Sequence, residues 1–504
     1  MRKFKHGGMH AADKFALVLV GFLIGIGVWG IGISLFWGVA IGIAIGGIFA
    51  RLLRPRRAVA SAAFLCAIAV IGGGWYAAFY DASYRARVVF PERGTEVKAI
   101  ITSEPKISET TQILSVALRK PFYGYARVMT DSAILYRYGQ IISFRWGETT
   151  ALPRNREKPI LLFPRIRAVS SQLPSSILVQ FRAALLRYKE NLVAALRHML
   201  PADHAALLAG VTFGWRGAFS RELANAMALS GTTHIVALSG YNIAIVVLLV
   251  GSLLGAWLPR RWAFVLTILT IVVFVGMVGG EPSIIRAALM GVLALLARHT
   301  GRIYSMRNEI LFAAAIMAAV RPSIVFEAGF QLSFLALLGI IYLEPLLLTV
   351  LQRSKQFFSF LQKQEFSNRL SRRVAATFIT TLAAQIAVAP VLLATFHRLS
   401  LGALFANILI LEVVPFTMAL GAIAALGGVT VPLLGTIVAW AAYPLLSYEI
   451  LVMRVFAKLR FPLEQLFSPV TVPFLMLAAG AVAAVLLIRR SVWEKERRFV
   501  SKAT

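Results

Sequence analysis

The chain has 504 residues, 59% of them apolar and 15% charged, with a formal net charge of +30. That balance excludes an ordinary soluble domain, whose charged fraction runs near about 25%, and makes a bilayer the solvent for most of the chain. A single cysteine, Cys66, excludes an intrachain disulfide, and the positive charge between the apolar runs favours an anionic partner, nucleic acid or lipid headgroup.

Arg2, Lys3, Lys5 and Lys14 precede an apolar stretch from Phe15 to Ile33, too long for a signal-peptide core, which reads as a retained first span. Apolar windows place further spans at 35–50 and 58–80, then at 232–257, 262–279, 283–298, 308–320, 328–349, 374–396, 402–427, 430–456 and 471–488. The expected class is a polytopic α-helical membrane protein of about twelve spans. Lys and Arg gather at the N-terminus, at Arg51, Arg54, Arg56 and Arg57, at Arg260 and Arg261, in the loop 352–373 and in the tail 489–502. By the positive-inside rule both termini are cytoplasmic and the segment from Asp81 to Gly231 is outside.

That outer segment divides. From Tyr84 to Ala168 it alternates β-rich runs with turns, at Val97–Thr102, Ile113–Leu118, Ala133–Tyr138 and, after the Tyr138-Gly139 turn, Ile141–Trp146, which fits a small β-barrel or sandwich. From Ser176 to Leu200, Leu178, Phe181, Leu185, Tyr188, Leu192, Leu196 and Met199 step by threes and fours, one face of a helix. Arg182, Arg187, Lys189 and Arg197 fall largely off that stripe. Such a helix either lies on the outer membrane surface or packs on the β-domain, and Pro201 ends it. The organisation expected is terminal spans at 1–80, an outer β-domain at 81–170, an amphipathic helix and linker at 171–231, a membrane domain at 232–490 and a basic tail at 491–504.

Residues 81–200 hold nineteen basic and nine acidic side chains, a balance of +10 that suits tracking of a single-strand backbone. Arg119, Lys120, Arg127, Arg137 and Arg145 are the candidate phosphate contacts. Phe122, Tyr123, Tyr125, Tyr136, Tyr138, Phe144 and Trp146 are available for base stacking or for the core of the β-domain.

Polar residues are densest after Leu207. His234 and Asn242 stand near the outer end of a span, and Gly240 permits an unwound turn between them; an intramembrane polar cluster marks a functional site or packing glue. Pro282 suits a first helical turn, with Ser283 beside it, and places Arg286 one turn into the membrane near Glu281. Burying that arginine costs about 2.5 to 3.5 kcal/mol unless water or a partner relieves it.

Four motifs in order over residues 200–420 resemble the ComEC family of competence proteins. They are His234, Ser239, Gly240 and Asn242; then Gly279-Gly280-Glu281-Pro282-Ser283 with Arg286; then Arg321-Pro322 with Glu327-Ala-Gly329-Phe330-Gln331-Leu-Ser333-Phe334; and finally Gln385, Pro390 and the stretch Gly402 to Pro415 with Asn407 and Glu412. Asn242 departs from the histidine usual there, removing a titratable group while keeping hydrogen bonding. The resemblance implies an inner-membrane channel for single-stranded DNA, an OB-like outer domain, and a path lined by His234, Ser239, Gly240, Asn242, Ser283, Arg286, Gln331, Ser333 and Asn407. It also implies an outer DNA receptor, a cytoplasmic helicase-like motor, strand-coating proteins and a separately supplied nuclease, with membrane lipids around the chain; it calls for no cofactor and leaves homo-oligomer formation open. Neither a His-x-His-x-Asp-His cluster nor a Gly-x4-Gly-Lys-Ser/Thr loop occurs, so zinc-nuclease and ATPase chemistry are not expected. Glu327, Glu344 and Glu412 at span edges support the rival reading, a proton-coupled transporter of a smaller solute. A hydrolase built on Ser239 and His234 is disfavoured, because a spacing of five turns the side chains apart on a helix.

Overall fold

The computed structural model describes residues 11–32, 40, 43–44, 56–107, 110–147, 150–151, 159–170, 176–215, 217, 219–236, 240–301, 305–353, 369–396 and 402–459. The spans expected at 471–488 and over most of 35–50, the tail 491–504, and Ser239 lie outside the described residues. The chain divides into two compact units. One takes the described parts of Met1–Asp81 with Leu296–Ile408, the other Ala82–Leu295 with Leu409–Leu459.

In the first unit, α1 (Ala11–Ile31) and α2 (Arg56–Arg87) meet through glycine. A Cβ at Gly21 would lie 2.7 Å from the Cys66 carbonyl, and one at Gly25 would meet the Val70 backbone. This Gly-x3-Gly edge lets two backbones approach where lipid gives helices no hydrophobic reason to associate. Phe15 faces Phe312 of α10 (Met306–Val320) at 5.9 Å between ring centres, and the Tyr76 hydroxyl donates to the Ala319 carbonyl. A 3-10 turn, Pro322–Phe326, leads into α11 (Ala328–Leu338), a π-helical turn Gly339–Leu343, α12 (Glu344–Arg353) and, further on, α13 (Arg369–Phe396). At the π turn a Cβ on Gly339 would come 2.7 Å from the Ala383 carbonyl, so α13 packs directly on this backbone.

The second unit opens with a sheet. Its strands are β1 (Glu96–Ile101), β2 (Lys106–Ile107), β3 (Thr111–Leu118), β4 (Tyr125–Asp131), β5 (Ile141–Arg145), β6 (Thr150–Ala151), β7 (Ile160–Leu162) and β8 (Ile166–Ser170). The order is β6-β7-β4-β3-β1-β5-β8, with β2 beside β3; all pairs are antiparallel except β4 with β7. Alternation drives the pleat: Val97, Ala99 and Ile101, Leu114 and Val116, Ala126 and Val128, and Ile142 and Phe144 enter one core. The strand expected at Ala133–Tyr138 is instead a turn. Buried Gln112 of β3 donates to the carbonyls of Asp131, at 2.7 Å, and Ile134, while the Asp131 carboxylate accepts from the Ala133 amide. Those bonds satisfy backbone groups that a ladder would otherwise need, and the strand falls one segment earlier, at β4.

Helices then follow as α3 (Ile177–Met199), α4 (Ala202–Phe213), α5 (Arg221–Ser230), α6 (Thr233–Val236), α7 (Gly240–Trp257), α8 (Arg260–Val278) and α9 (Pro282–Thr300). After the first unit's helices come α14 (Gly402–Leu411), α15 (Val414–Thr430) and α16 (Pro432–Lys458). The buried face of α3 is Ala183, Leu186, Lys189, Leu192, Val193 and Leu196. It is rotated from the expected stripe, since Leu178, Phe181 and Tyr188 are exposed. Lys189, expected on the polar face, is wholly buried, with Nζ 2.8 Å from Glu104 beyond β1. Arg182 also lies over the Tyr138 ring at 4.9 Å, so the helix does pack on the β-domain. The remaining surprise is α4, a 12-residue helix buried from Ala205 through Phe213. It is too short to register as a span and too apolar to be a linker.

Eight described helices are long and apolar enough to cross a membrane, and α14 with α15 makes a ninth if that bent pair counts as one. Of the expected spans, 308–320 is a helix of only 15 residues. The one at 232–257 is divided into α6 and a helix beginning at Gly240. That at 402–427 bends by 53°, where Pro415 opens α15 without an N–H to continue the ladder.

Candidate functional site

The expected path residues fall on both units. His234, Gly240, Asn242, Ser283 and Arg286 belong to one, Gln331, Ser333 and Asn407 to the other. In the second unit the structure builds a compact polar site where α7 and α9 begin. Gly279, at φ +117°, closes α8, and the Glu281 carbonyl accepts from the Ile284 and Ile285 amides to start α9 behind Pro282. Arg286, one turn in, is buried at 7% exposure. A Cβ at Gly240 would stand 2.5 Å from its Nη2 and 3.3 Å from the Ala287 Cβ. Glycine at the first position of α7 therefore makes room for the guanidinium. The positive end of an 18-residue helix and a fixed cation converge there. Ser283 is half-buried on the first turn of α9.

Asn242, 1% exposed, donates from Nδ2 to the Val211 carbonyl at 2.9 Å. That carbonyl is among the last of α4, which have no partner within their own helix, so the amide closes a helix end. His234 takes another course. It is exposed, and Nδ1 lies 2.9 Å from the carbonyl of Gly231, the left-handed residue ending α5. A carbonyl only accepts, so Nδ1 carries the proton there.

In the other unit the Gly-Phe-Gln-Leu-Ser-Phe run works as a brace. Gln331 donates from Nε2 to the Val325 carbonyl at 3.1 Å, the Phe330 and Phe334 rings pack at 4.3 Å, and Arg321 holds Glu327 at 2.7 Å. Glu327, weighed above as a proton carrier, is thus tied to an arginine. Ser333 is half-buried on α11 and Asn407 is buried at 3% exposure on α14. Glu412 is exposed at the bend before α15.

On the β-domain Arg119, Lys120, Arg127, Arg137 and Arg145 are all exposed. Arg137 is engaged with Glu190 of α3 at 3.3 Å, and Arg145 stands opposite Glu96 across β5 and β1. Tyr136, Phe144 and Trp146 are core, whereas Tyr123 and Tyr125 are exposed at 46% and 41%. Tyr125 and Arg127 on β4, Lys98 on β1 and Arg145 on β5 point to the same outward face, opposite the core. Lys98 was missed in the sequence; its place between Val97 and Ala99, both buried, was the available signal.

Two further polar positions were also missed. Glu449 of α16 is wholly buried beside Thr417. His204 of α4 is half-buried, with Nε2 3.0 Å from the Ser447 hydroxyl and its ring stacked on Tyr443. Burial holds His204 below the usual imidazole range, with Asp203 opposing and Arg454 adding to the effect. Among the described residues no group of three or more His, Cys, Asp or Glu side chains is gathered that could hold a metal ion.

A largely helical, many-span membrane protein carrying a small sheet domain, with a buried arginine at a helix start, is the class these features define. The family profile described as "Competence protein" matches residues 211–492, more than half of the chain. The chain belongs to that family. It is also similar to "ComE operon protein 3" of Bacillus subtilis (strain 168), at 26% identity over 245 residues. That match takes in 48% of this chain and 29% of the relative's length. No solved structure matches it significantly.

Proposed function

We propose that this protein serves DNA uptake as an inner-membrane channel passing single-stranded DNA to the cytoplasm. The observation that carries the reading is the Arg286 guanidinium packed on Gly240 at the start of α7. A phosphodiester is an anion that a planar donor beside a helix N-terminus suits. Family membership and the outward face of Lys98, Tyr125, Arg127 and Arg145 support it, a face offering phosphate contacts and a ring for stacking. The strand succession β5-β1-β3-β4 with β7 parallel to β4 agrees with a partly open OB-like barrel. In this reading about twelve spans with both termini cytoplasmic leave that barrel outside, where an outer receptor would deliver DNA and a nuclease would leave one strand. His234, Ser239, Asn242, Ser283, Gln331, Ser333 and Asn407 complete the path, with Asn242 and Gln331 holding its walls in position.

Each phosphate drawn inward against an inside-negative potential costs about 2.3 kcal/mol per 100 mV. A helicase-like motor and strand-coating proteins on the cytoplasmic side would supply that work. The test is uptake of labelled DNA and transformation in cells carrying variants at normal abundance. Arg286→Ala is expected to lower both on the order of 100-fold, the scale of losing a buried charged contact. Arg286→Lys should recover part, and Gly240→Ala, which crowds Nη2, should fall between them. Wild-type uptake in Arg286→Ala would overturn the reading.

A further inference from the structure

Glu449 lies near the middle of α16 with no exposed surface, and nothing in the DNA path requires it. Its Oε1 accepts a hydrogen bond from the Thr417 hydroxyl of α15 at 2.7 Å. Oε2 has no hydrogen-bond partner among the described residues. One turn along α15, a Cβ at Gly421 would stand 2.8 Å from the hydroxyl oxygen of Thr212 on α4, which also has no hydrogen-bond partner among the described residues. A carboxyl and two hydroxyls thus lie in the interior, among buried apolar residues of the same helices that include Ala424, Ala425, Ala442, Leu446 and Met453.

On the elements packed around α16, several charged groups are engaged elsewhere. On α5, Glu222 pairs with Arg454 at 3.4 Å, a turn and a half beyond Glu449. On α4, His204 is held by Ser447 and Tyr443, and Asp203 accepts from Ser220. On α3, Lys189 binds Glu104, and Arg197 lies over Trp215 at 5.5 Å. The α15 sequence contains no charged residue. Among the described residues a carboxylate here would have one neutral hydroxyl as its donor, too little to replace the water it has lost.

We propose that Glu449 is a proton-binding site of the helix bundle, carried as the neutral acid while α15 and α16 are packed. The proton leaves to water, and the carboxylate forms, only when the two helices part. Packing of this hairpin is close enough to make parting a discrete event, because a Cβ at Gly427 would meet Gly435 backbone atoms at 3.0 Å and 3.1 Å. The ligand is the proton itself, and the reaction is one O–H bond broken or formed, with no other reactant. This site stands independently of the DNA path.

The experiment is infrared difference spectroscopy on the full-length chain in lipid nanodiscs, wild type against Glu449→Gln and Thr417→Val, in light and heavy water and with sodium or potassium. At neutral pH the wild type should carry a protonated-carboxyl C=O band that is lost in Glu449→Gln and shifted in Thr417→Val, which removes the hydroxyl donor. The unfolding temperature of the wild type should fall as pH rises above the ordinary carboxylate range and level off once the band has titrated away, and Glu449→Gln should lack that fall. If Glu449→Gln fails to fold, the titration of the wild-type band and its shift in Thr417→Val carry the test. Absence of a protonated band at neutral pH would overturn the proposal. A band or an unfolding temperature that changes with sodium but not with pH would overturn it too, making the site a cation site.

Discussion

The β-domain and the helical layer of the same unit are built inside out relative to each other. In the β-domain the interior is Val97, Ile101, Leu114, Val128, Ile142 and Phe144, and its charges stand outside. Among the helices Trp257, Leu253, Leu433 and Trp440 face outward, while Asn242, Arg286, Thr417 and Glu449 are buried. Each arrangement hides what its solvent rejects. Water forces apolar groups inward in the first, and lipid leaves polar groups needing one another, or a hydrated path, in the second. One consequence is that burial means different things in the two places: a buried residue of the sheet is stability, whereas a buried polar residue of the bundle is a candidate for function.

That contrast can be broken most sharply at Phe144. Phe144→Ala should destabilise the β-domain by about 3 to 5 kcal/mol, read as faster hydrogen exchange of the β1, β4 and β5 amides while those of α15 and α16 stay protected. Loss of protection in both regions would mean that the bundle depends on the sheet for its fold. On the outward face the expectation is smaller and electrostatic. Lys98→Ala with Arg127→Ala should reduce the slope of log affinity for single-stranded oligonucleotide against log salt by about 1.4, near 0.7 for each lost phosphate contact. Tyr125→Ala should weaken binding with the slope unchanged. An unchanged slope in the double variant would take this face out of the DNA path.

The smallest effect belongs to His204. Because folding favours its neutral ring, the unfolded chain binds the extra proton, and stability falls as pH drops below about 6.5. Replacing it by Gln should flatten that acid limb by a small amount, since the ring is only half-buried. An identical pH profile in His204→Gln would show that the acid limb has another source.

Periodicity made the amphipathic helix and most spans legible: α3 runs Ile177–Met199 against the expected 176–200. It misplaced the face, because the stripe was drawn through large residues while the buried face also takes in Ala183, Lys189 and Val193. The run Ala133–Tyr138 has strand composition, yet Gln112, distant in sequence, bonds its backbone into a turn. The motif residues Gly240, Asn242, Arg286 and Gln331 were readable as chemistry but not as partners. That Asn242 closes α4, or that Gly240 makes room for Arg286, depends on helices 31 residues and one helix apart coming together. Glu449 gave no signal at all, a single acid in an apolar run whose burial only the fold decides.

The bond from Asn242 to Val211 also fixes what this position must supply. A helix-end carbonyl needs an N–H and has no use for a proton acceptor. A carboxamide offers that N–H at every pH, whereas an imidazole offers it subject to tautomer and charge. The seam between α4 and α7 is for that reason fastened by a clasp indifferent to acidity.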